Sequence, residues 1–225
     1  MSATSAIPLR FREPRPGPEH LLIEWFLSET RVPIPRGHQV SVFREPSIES
    51  GMPDLVLVVW KPSLARAWNA ARADLTKSDF RFLQLMVHQG PKTAAQLEDL
   101  SRSPIEPILT RLECAHMIHK RGRRWQPRPL GQIFAATQII AVEAKMSDWR
   151  RGLEQAATNR WFASASYLLM PRAPRSGAFR TAADASGVGL WTQDTPFLKT
   201  AASGSLPCSY ASWLFHEWAW RQSLA

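Results

Sequence analysis

The sequence predicts an α/β fold, a mixed sheet flanked by helices, with a helical module set into it. Three observations carry this reading. The apolar runs Leu55–Trp60 and Ala165–Met170 suit strands covered on both faces. Amphipathic segments of helical period alternate with such runs. Between residues 77 and 126 the texture changes to closely spaced helical patterns followed by a basic hairpin. A chain of 225 residues can bury a core of its own without disulfides or a structural metal.

In order along the chain, residues 1–18 are proline-rich and read as a flexible lead. Residues 18–30 place Leu21, Leu22, Trp25 and Phe26 at helical spacing, with Glu19 early, where the helix dipole favours it. A short strand is expected at 40–43, then a turn-rich stretch, then the apolar strand Leu55–Trp60. Residues 62–73 look helical. Ser78 and Asp79 are expected to cap a helix carrying Phe82, Leu83, Leu85 and Met86, ended by Gly90 and Pro91. Thr93 opens a short helix through Leu97 and Leu100. Ser103 and Pro104 open a third, with Ile105, Ile108, Leu109 and Leu112 as its apolar stripe.

Residues 117–120 and 124–126 then read as a hairpin with Gly122 at its tip. Three helices followed by a basic hairpin resemble a winged helix-turn-helix module. Sheet texture returns at 134–144, followed by a helix at 148–158, the strand Ala165–Met170, a loop, a strand at 187–191 and a Trp-rich closing helix, Tyr210–Gln222. The expected organisation is a core built from 19–74 and 130–225, with an insertion at 75–129.

The chain carries 28 Lys plus Arg against 19 Asp plus Glu, a net charge of +9. Such an excess points to a polyanionic partner, because Lys and Arg neutralise phosphates and release counterions. Cys114 and Cys208 lack metal-ligand spacing and are too few for a disulfide framework. No apolar run approaches the roughly 18 residues of a membrane span, so a cytoplasmic protein with no membrane partner is expected.

Two segments carry the chemistry. Pro53 and Asp54 precede one apolar strand, and Glu143-Ala144-Lys145 ends another. In an extended chain residues i and i+2 share a face, so Glu143 and Lys145 lie on one side and Ala144 offers its carbonyl between them. Charged residues at the end of an apolar strand are depleted unless paired or functional.

These residues resemble the PD-(D/E)xK, or restriction endonuclease-like, nuclease superfamily: Pro53-Asp54 matches the PD half and Glu143-Ala144-Lys145 the ExK half. The helix after the second motif, with Gln155, and the two strands that follow it fit the same order. The likeness covers roughly residues 19–61 and 130–195, and an inserted domain accounts for the long separation of the motifs. The resemblance implies an Mg²⁺-dependent endonuclease, with Mn²⁺ as a substitute metal. Asp54, Glu143 and the Ala144 carbonyl would be ligands, with Glu24 on the first helix as a further carboxylate. Lys145 would act on the nucleophile and on developing charge, and Gln155 would steady water or substrate.

Lys120, Arg121, Arg123, Arg124 and Arg128 form a basic run without Asp or Glu on the expected wing, suited to DNA phosphates. The rival reading is a non-catalytic DNA-binding or adaptor protein on a degenerate nuclease fold. A homodimer or a protein partner would use the winged helix or the Trp-rich helix. Trp213, Trp218 and Trp220 suit either a core or an oligomer contact.

Overall fold

A computed structural model of the chain describes residues 16–30, 32–48, 51, 53–101, 104–195, 200–202, 204–206 and 208–224. The proline-rich lead, up to residue 15, and Ser103 lie outside the described residues.

In chain order the elements begin with α1 (Pro18–Glu29), β1 (Gln39–Arg44), β2 (Leu55–Trp60) and α2 (Pro62–Ala65). There follow α3 (Lys77–Gln89), β3 (Lys92–Thr93), α4 (Ala94–Glu98), α5 (Glu106–Cys114), β4 (Ile118–Arg121), β5 (Arg124–Pro127) and α6 (Leu130–Ile133). The chain closes with β6 (Ala136–Ala144), α7 (Trp149–Asn159), β7 (Ala165–Met170), α8 (Gly177–Ser186), β8 (Gly189–Thr192) and α9 (Tyr210–Gln222). The described residues divide into two compact units, one of 16–59 with 137–206, the other of 60–136 with 208–224.

The first unit is built on a five-stranded sheet of order β1-β2-β6-β7-β8. β6 and β7 run parallel, with Val142 opposite Tyr167 and Glu143 opposite Leu168, and β7 pairs parallel with β8. The loop from β1 to β2 holds an antiparallel bridge between Ile48 and Gly51. Every residue of β2 and β7 is buried, as their apolar composition requires.

Alternation along the strands builds two cores. Leu55, Leu57, Val142, Tyr167 and Leu169 pack with Leu22, Ile23 and Phe26 of α1 on one face. Leu168, Met170 and Leu190 pack with Leu153 and Ala156 of α7 and Phe179 and Ala183 of α8 on the other. The sheet is therefore mixed and flanked by helices, as expected. α8 occupies a stretch expected to be a loop. Its apolar stripe is only Phe179 and Ala183 among small residues, so its helical signal is weak in isolation.

In the second unit Thr76, rather than Ser78, caps α3. Its hydroxyl accepts from Asp79 N while the Asp79 carboxylate accepts from Thr76 N at 2.7 Å. That carboxylate also receives Arg111 from α5 through two hydrogen bonds, of 2.9 and 2.7 Å. One acidic side chain thus caps one helix and ties down another. α4 is capped by Thr93, as expected, and the apolar stripe of α5 is buried. β3 adds to the β4–β5 hairpin to give a three-stranded sheet of order β3-β5-β4, and Gly122 turns the hairpin at φ 61°. The helix expected at 62–73 is divided into α2 and a 3₁₀ turn at Ala70–Asp74.

The closing helix corrects the expected organisation. α9 belongs with the inserted helices rather than with the sheet, packing on α3, where Gln84 Oε1 accepts from Tyr210 N at 2.9 Å. Trp213, Trp218 and Trp220 are buried in that unit, which makes them core. Arg72, buried, pairs with Glu217 of α9, donates to the Ile133 carbonyl at 2.9 Å and stacks on Trp68. His216 Nδ1 accepts from Ala135 N at 3.3 Å, and its Nε2 lies 3.1 Å from Arg72 Nη2 and 3.2 Å from Glu217 Oε1. Burial, then the Arg72 charge, holds His216 well below its ordinary pKa, keeping the ring neutral. Cys114 and Cys208 are free thiols. No helix among the described residues is long and apolar enough to cross a membrane.

Glu217→Ala would leave Arg72 buried without its counter-charge. Urea unfolding followed by circular dichroism should show a loss of about 3–5 kcal/mol, and a change within error would exclude the pair as an anchor of α9.

Candidate functional site

The order of the sheet places the start of β2 beside the end of β6, so Asp54 and Glu143 meet although the larger part of the second unit, 60–136, separates them in the chain. Asp54 Oδ2 accepts the Ala144 N–H at 2.7 Å, fastening the two strand ends together. Glu143 shares the face of its partner Leu168 and is only 2% exposed, against α7. Its Oε1 accepts from Asn159 Nδ2 of α7 at 2.7 Å, whereas its Oε2 is buried with no hydrogen-bond partner.

Lys145 follows the same face. Its stem runs beside Gly152 of α7, where a Cβ would stand 2.8 Å from Lys145 Cγ and 2.5 Å from Leu168 Cδ1. Glycine is what allows α7 this close to the strand. The ammonium donates to the Ala144 carbonyl at 2.8 Å and lies 3.9 Å from Asp54 Oδ2 and 3.8 Å from Glu19 Oε2.

The electrostatics follow from burial. Desolvation, then the neighbouring Asp54 charge, pushes the Glu143 carboxyl up to about 8, against the lowering effects of the Asn159 hydrogen bond and of Lys145. Asp54 is raised too, chiefly by burial, while the Ala144 N–H and Lys145 pull it down. The Asp54 charge close by favours a proton on Glu143, so the protonation of the two carboxyls is linked.

Of the residues singled out in the sequence, the structure brings Asp54, Glu143, Ala144 and Lys145 together. Gln155 lies on α7 one turn before Asn159, with its Oε1 buried and unpartnered. Glu24 is not brought to them: its carboxylate pairs with Arg44 of β1. The α1 carboxylate at the site is Glu19, which the sequence marked only as a helix-dipole residue. Asn159 and Gly152 were also missed, although their spacing from Gln155 places all three on neighbouring positions of one helix face.

Among the described residues no group of three or more His, Cys, Asp or Glu side chains converges closely enough to hold a metal ion. The oxygen set on offer is two carboxyls and the Ala144 carbonyl, which already accepts from Lys145. Two crowded carboxyls of raised pKa, one with an oxygen lacking any donor, suit a hard divalent cation, whose charge would relieve both.

The second group of candidates lies on the β4–β5 hairpin. Lys120, Arg121, Arg123 and Arg124 are exposed around its tip, and Arg128 is half-buried at its base. Lys120 Nζ lies 5.3 Å from the centre of the Trp125 ring. Comparison of the chain with protein-family models, with curated proteins and with solved structures gave no match.

The Glu143 carboxyl binds its proton more tightly folded than unfolded, where its pKa is 4.5. Its contribution to stability is therefore complete below pH 4.5 and is lost as the pH rises through about 8. In a metal-free buffer the unfolding free energy should fall across that window by something on the order of a few kcal/mol. Glu143→Gln should flatten the fall, and an equal slope in both proteins would contradict the buried-carboxyl assignment.

Proposed function

We propose that the chain is a divalent-metal-dependent nuclease of the PD-(D/E)xK type, hydrolysing DNA phosphodiester bonds. One observation carries this reading: Glu143 Oε2 is buried without a donor beside the Asp54 carboxyl, with Lys145 Nζ 3.9 Å from that carboxyl. The placing of Asp54 ahead of β2 and of Glu143-Ala144-Lys145 at the end of the adjacent β6 supports it further. So does the helix α7 behind them, which supplies Gln155 and Asn159.

Asp54, Glu143 and the Ala144 carbonyl would hold Mg²⁺, or Mn²⁺ in its place. Bound there, the metal supplies polarisation of the phosphate and a lowered pKa for water. Asn159 holds Glu143 Oε1, which leaves Oε2 as the ligand atom. Asp54, tied through Ala144 N, keeps its position whatever the metal does. The Lys145 ammonium, anchored on the Ala144 carbonyl, orients the attacking water and offsets negative charge developing on phosphorus. Glu19 adds a carboxylate 3.8 Å from that ammonium and helps hold it in place.

The inserted unit supports a winged-helix reading, with α3, α4 and α5 followed by the β4–β5 hairpin and β3 added at its edge. The exposed arginines of the hairpin suit the backbone phosphates of DNA.

Lys145→Ala should abolish Mg²⁺-dependent cleavage of plasmid and linear DNA while circular dichroism and DNA affinity stay near those of the wild type. Asp54→Asn should lose cleavage together with Mn²⁺ binding measured by calorimetry. Wild-type cutting by Lys145→Ala would overturn the assignment.

Replacing Arg121, Arg123 and Arg124 together by alanine should weaken DNA binding at moderate salt. It should also flatten the slope of log affinity against log salt by roughly 2–3 units, at about 0.9 per phosphate. Cleavage at saturating DNA should survive, and parallel salt lines for the two proteins would exclude DNA contact by the hairpin.

A further inference from the structure

The register of the hairpin orders its side chains. Arg121 stands opposite Arg124, Lys120 opposite Trp125 and His119 opposite Gln126. Alternation therefore puts His119, Arg121, Arg124 and Gln126 on one face, with Lys120 and Trp125 on the other. Arg128, two residues beyond Gln126, continues the first face, and its N–H is donated to the Met117 carbonyl at 2.9 Å. Two arginines directly opposed across a strand pair repel each other, and among the described residues no carboxylate pairs with either. An anion laid across them would remove the repulsion.

The same face leads to a cavity of about 540 Å³ lined by His119, Gln126, Pro127, Arg128, Pro129 and Gln132. Gln126 Nε2 donates to His119 Nε2 at 2.7 Å, so that ring nitrogen accepts and the ring proton stands on Nδ1. His119 Nδ1 is buried without a partner, and so is Arg128 Nε. Two of the residues that line the cavity thus each hold a buried N–H donor without an acceptor, one of them on a permanent cation, a state that buried donors rarely tolerate.

We infer that this cavity is a phosphate subsite, taking one phosphate of a nucleic-acid strand whose neighbouring phosphates lie over Arg121 and Arg124. The inference rests on the DNA-binding part of the proposed function and names the residues that would seat the strand. A phosphate offers several acceptor oxygens at once, so a guanidinium and an imidazole N–H can both be satisfied by it. Arg124 and Arg128 are roughly 13 Å apart along extended chain, a span that a polyanion with regularly spaced charges covers and a single carboxylate does not.

The test uses the full chain, labelled with ¹⁵N, and follows the imidazole signals by NMR, with His119 assigned through His119→Gln. Inorganic phosphate, titrated against chloride at fixed pH and matched ionic strength, should shift the His119 signals saturably. Arg128→Gln should weaken that response about tenfold or more. Arg128→Lys, which keeps the charge but loses the fork, serves where the first variant is misfolded and should weaken it as well.

A deoxydinucleotide without a terminal phosphate and a deoxynucleoside 5′-monophosphate then separate an internal diester from a strand end. A saturable response to either supports the subsite and says which phosphate it takes. A phosphate response no larger than that of chloride overturns the inference, as does a response to a glutamate-rich peptide alone. Cleavage in Mg²⁺ is measured in parallel. Cleavage without phosphate binding removes only the subsite, whereas phosphate binding without cleavage removes only the nuclease reading.

Discussion

Asp54 Oδ2 accepts the Ala144 N–H across 90 positions of sequence, and the candidate site exists only because β2 and β6 are neighbours in the sheet. β2 is buried along its whole length and β6 from Ile139 to Ala144, and the buried acidic residue of β6 stands at the end that meets the start of β2. The chain leaves the first unit at the end of β2 and returns at the start of β6, so the segment 60–136 is an excursion whose ends are held together by strand pairing. Loop closure grows only slowly with loop length, which is why a folded insertion is compatible with this pairing.

Placing a carboxyl at a buried strand end has an electrostatic consequence. Glu143 cannot ionise freely beside Asp54, and its one firm protein donor, Asn159, reaches only one of its oxygens. Lys145 relieves part of the charge from the ammonium side, yet the Glu143 carboxyl still stands far above its ordinary range. Structural ion pairs usually settle with their oxygens satisfied. A site that leaves one unsatisfied carries stored electrostatic free energy, which is the property expected of a group kept for binding or catalysis. Gly152 is the packing counterpart of this arrangement, because any side chain there would push α7 away from both Leu168 and the lysine stem.

The second unit is organised by buried charge of another kind. Arg72 and Glu217, with neutral His216 and the Trp68 ring around them, join a 3₁₀ turn to the final helix. Arg221 adds hydrogen bonds to the carbonyls of Arg72 and Ala73. Arg72 and Glu217 neutralise each other in this cluster, so the pair reads as a structural clamp. At the hairpin Arg121 and Arg124 are gathered on one face with no carboxylate pairing with either among the described residues, and the proposed phosphate subsite rests on that imbalance.

Much of this was legible in the sequence. The apolar runs defined β2 and β7, the polar punctuation around Thr93 and Gly122 defined the inserted helix and the hairpin tip, and the residue types at 53–54 and 143–145 marked the site. Local pattern could reach these because period, capping and turn chemistry act over a few residues. Only the tertiary structure chose Glu19 over Glu24, since both lie on α1 and the choice depends on which turn passes the end of β6. Only it disclosed Asn159 as the donor to Glu143, and only it gave α9 to the inserted unit. A helix apolar on most sides must be buried, but its sequence does not say against what. Partners distant in the chain are selected by which surfaces fit once strands and helices are packed, and that competition is settled over the whole fold.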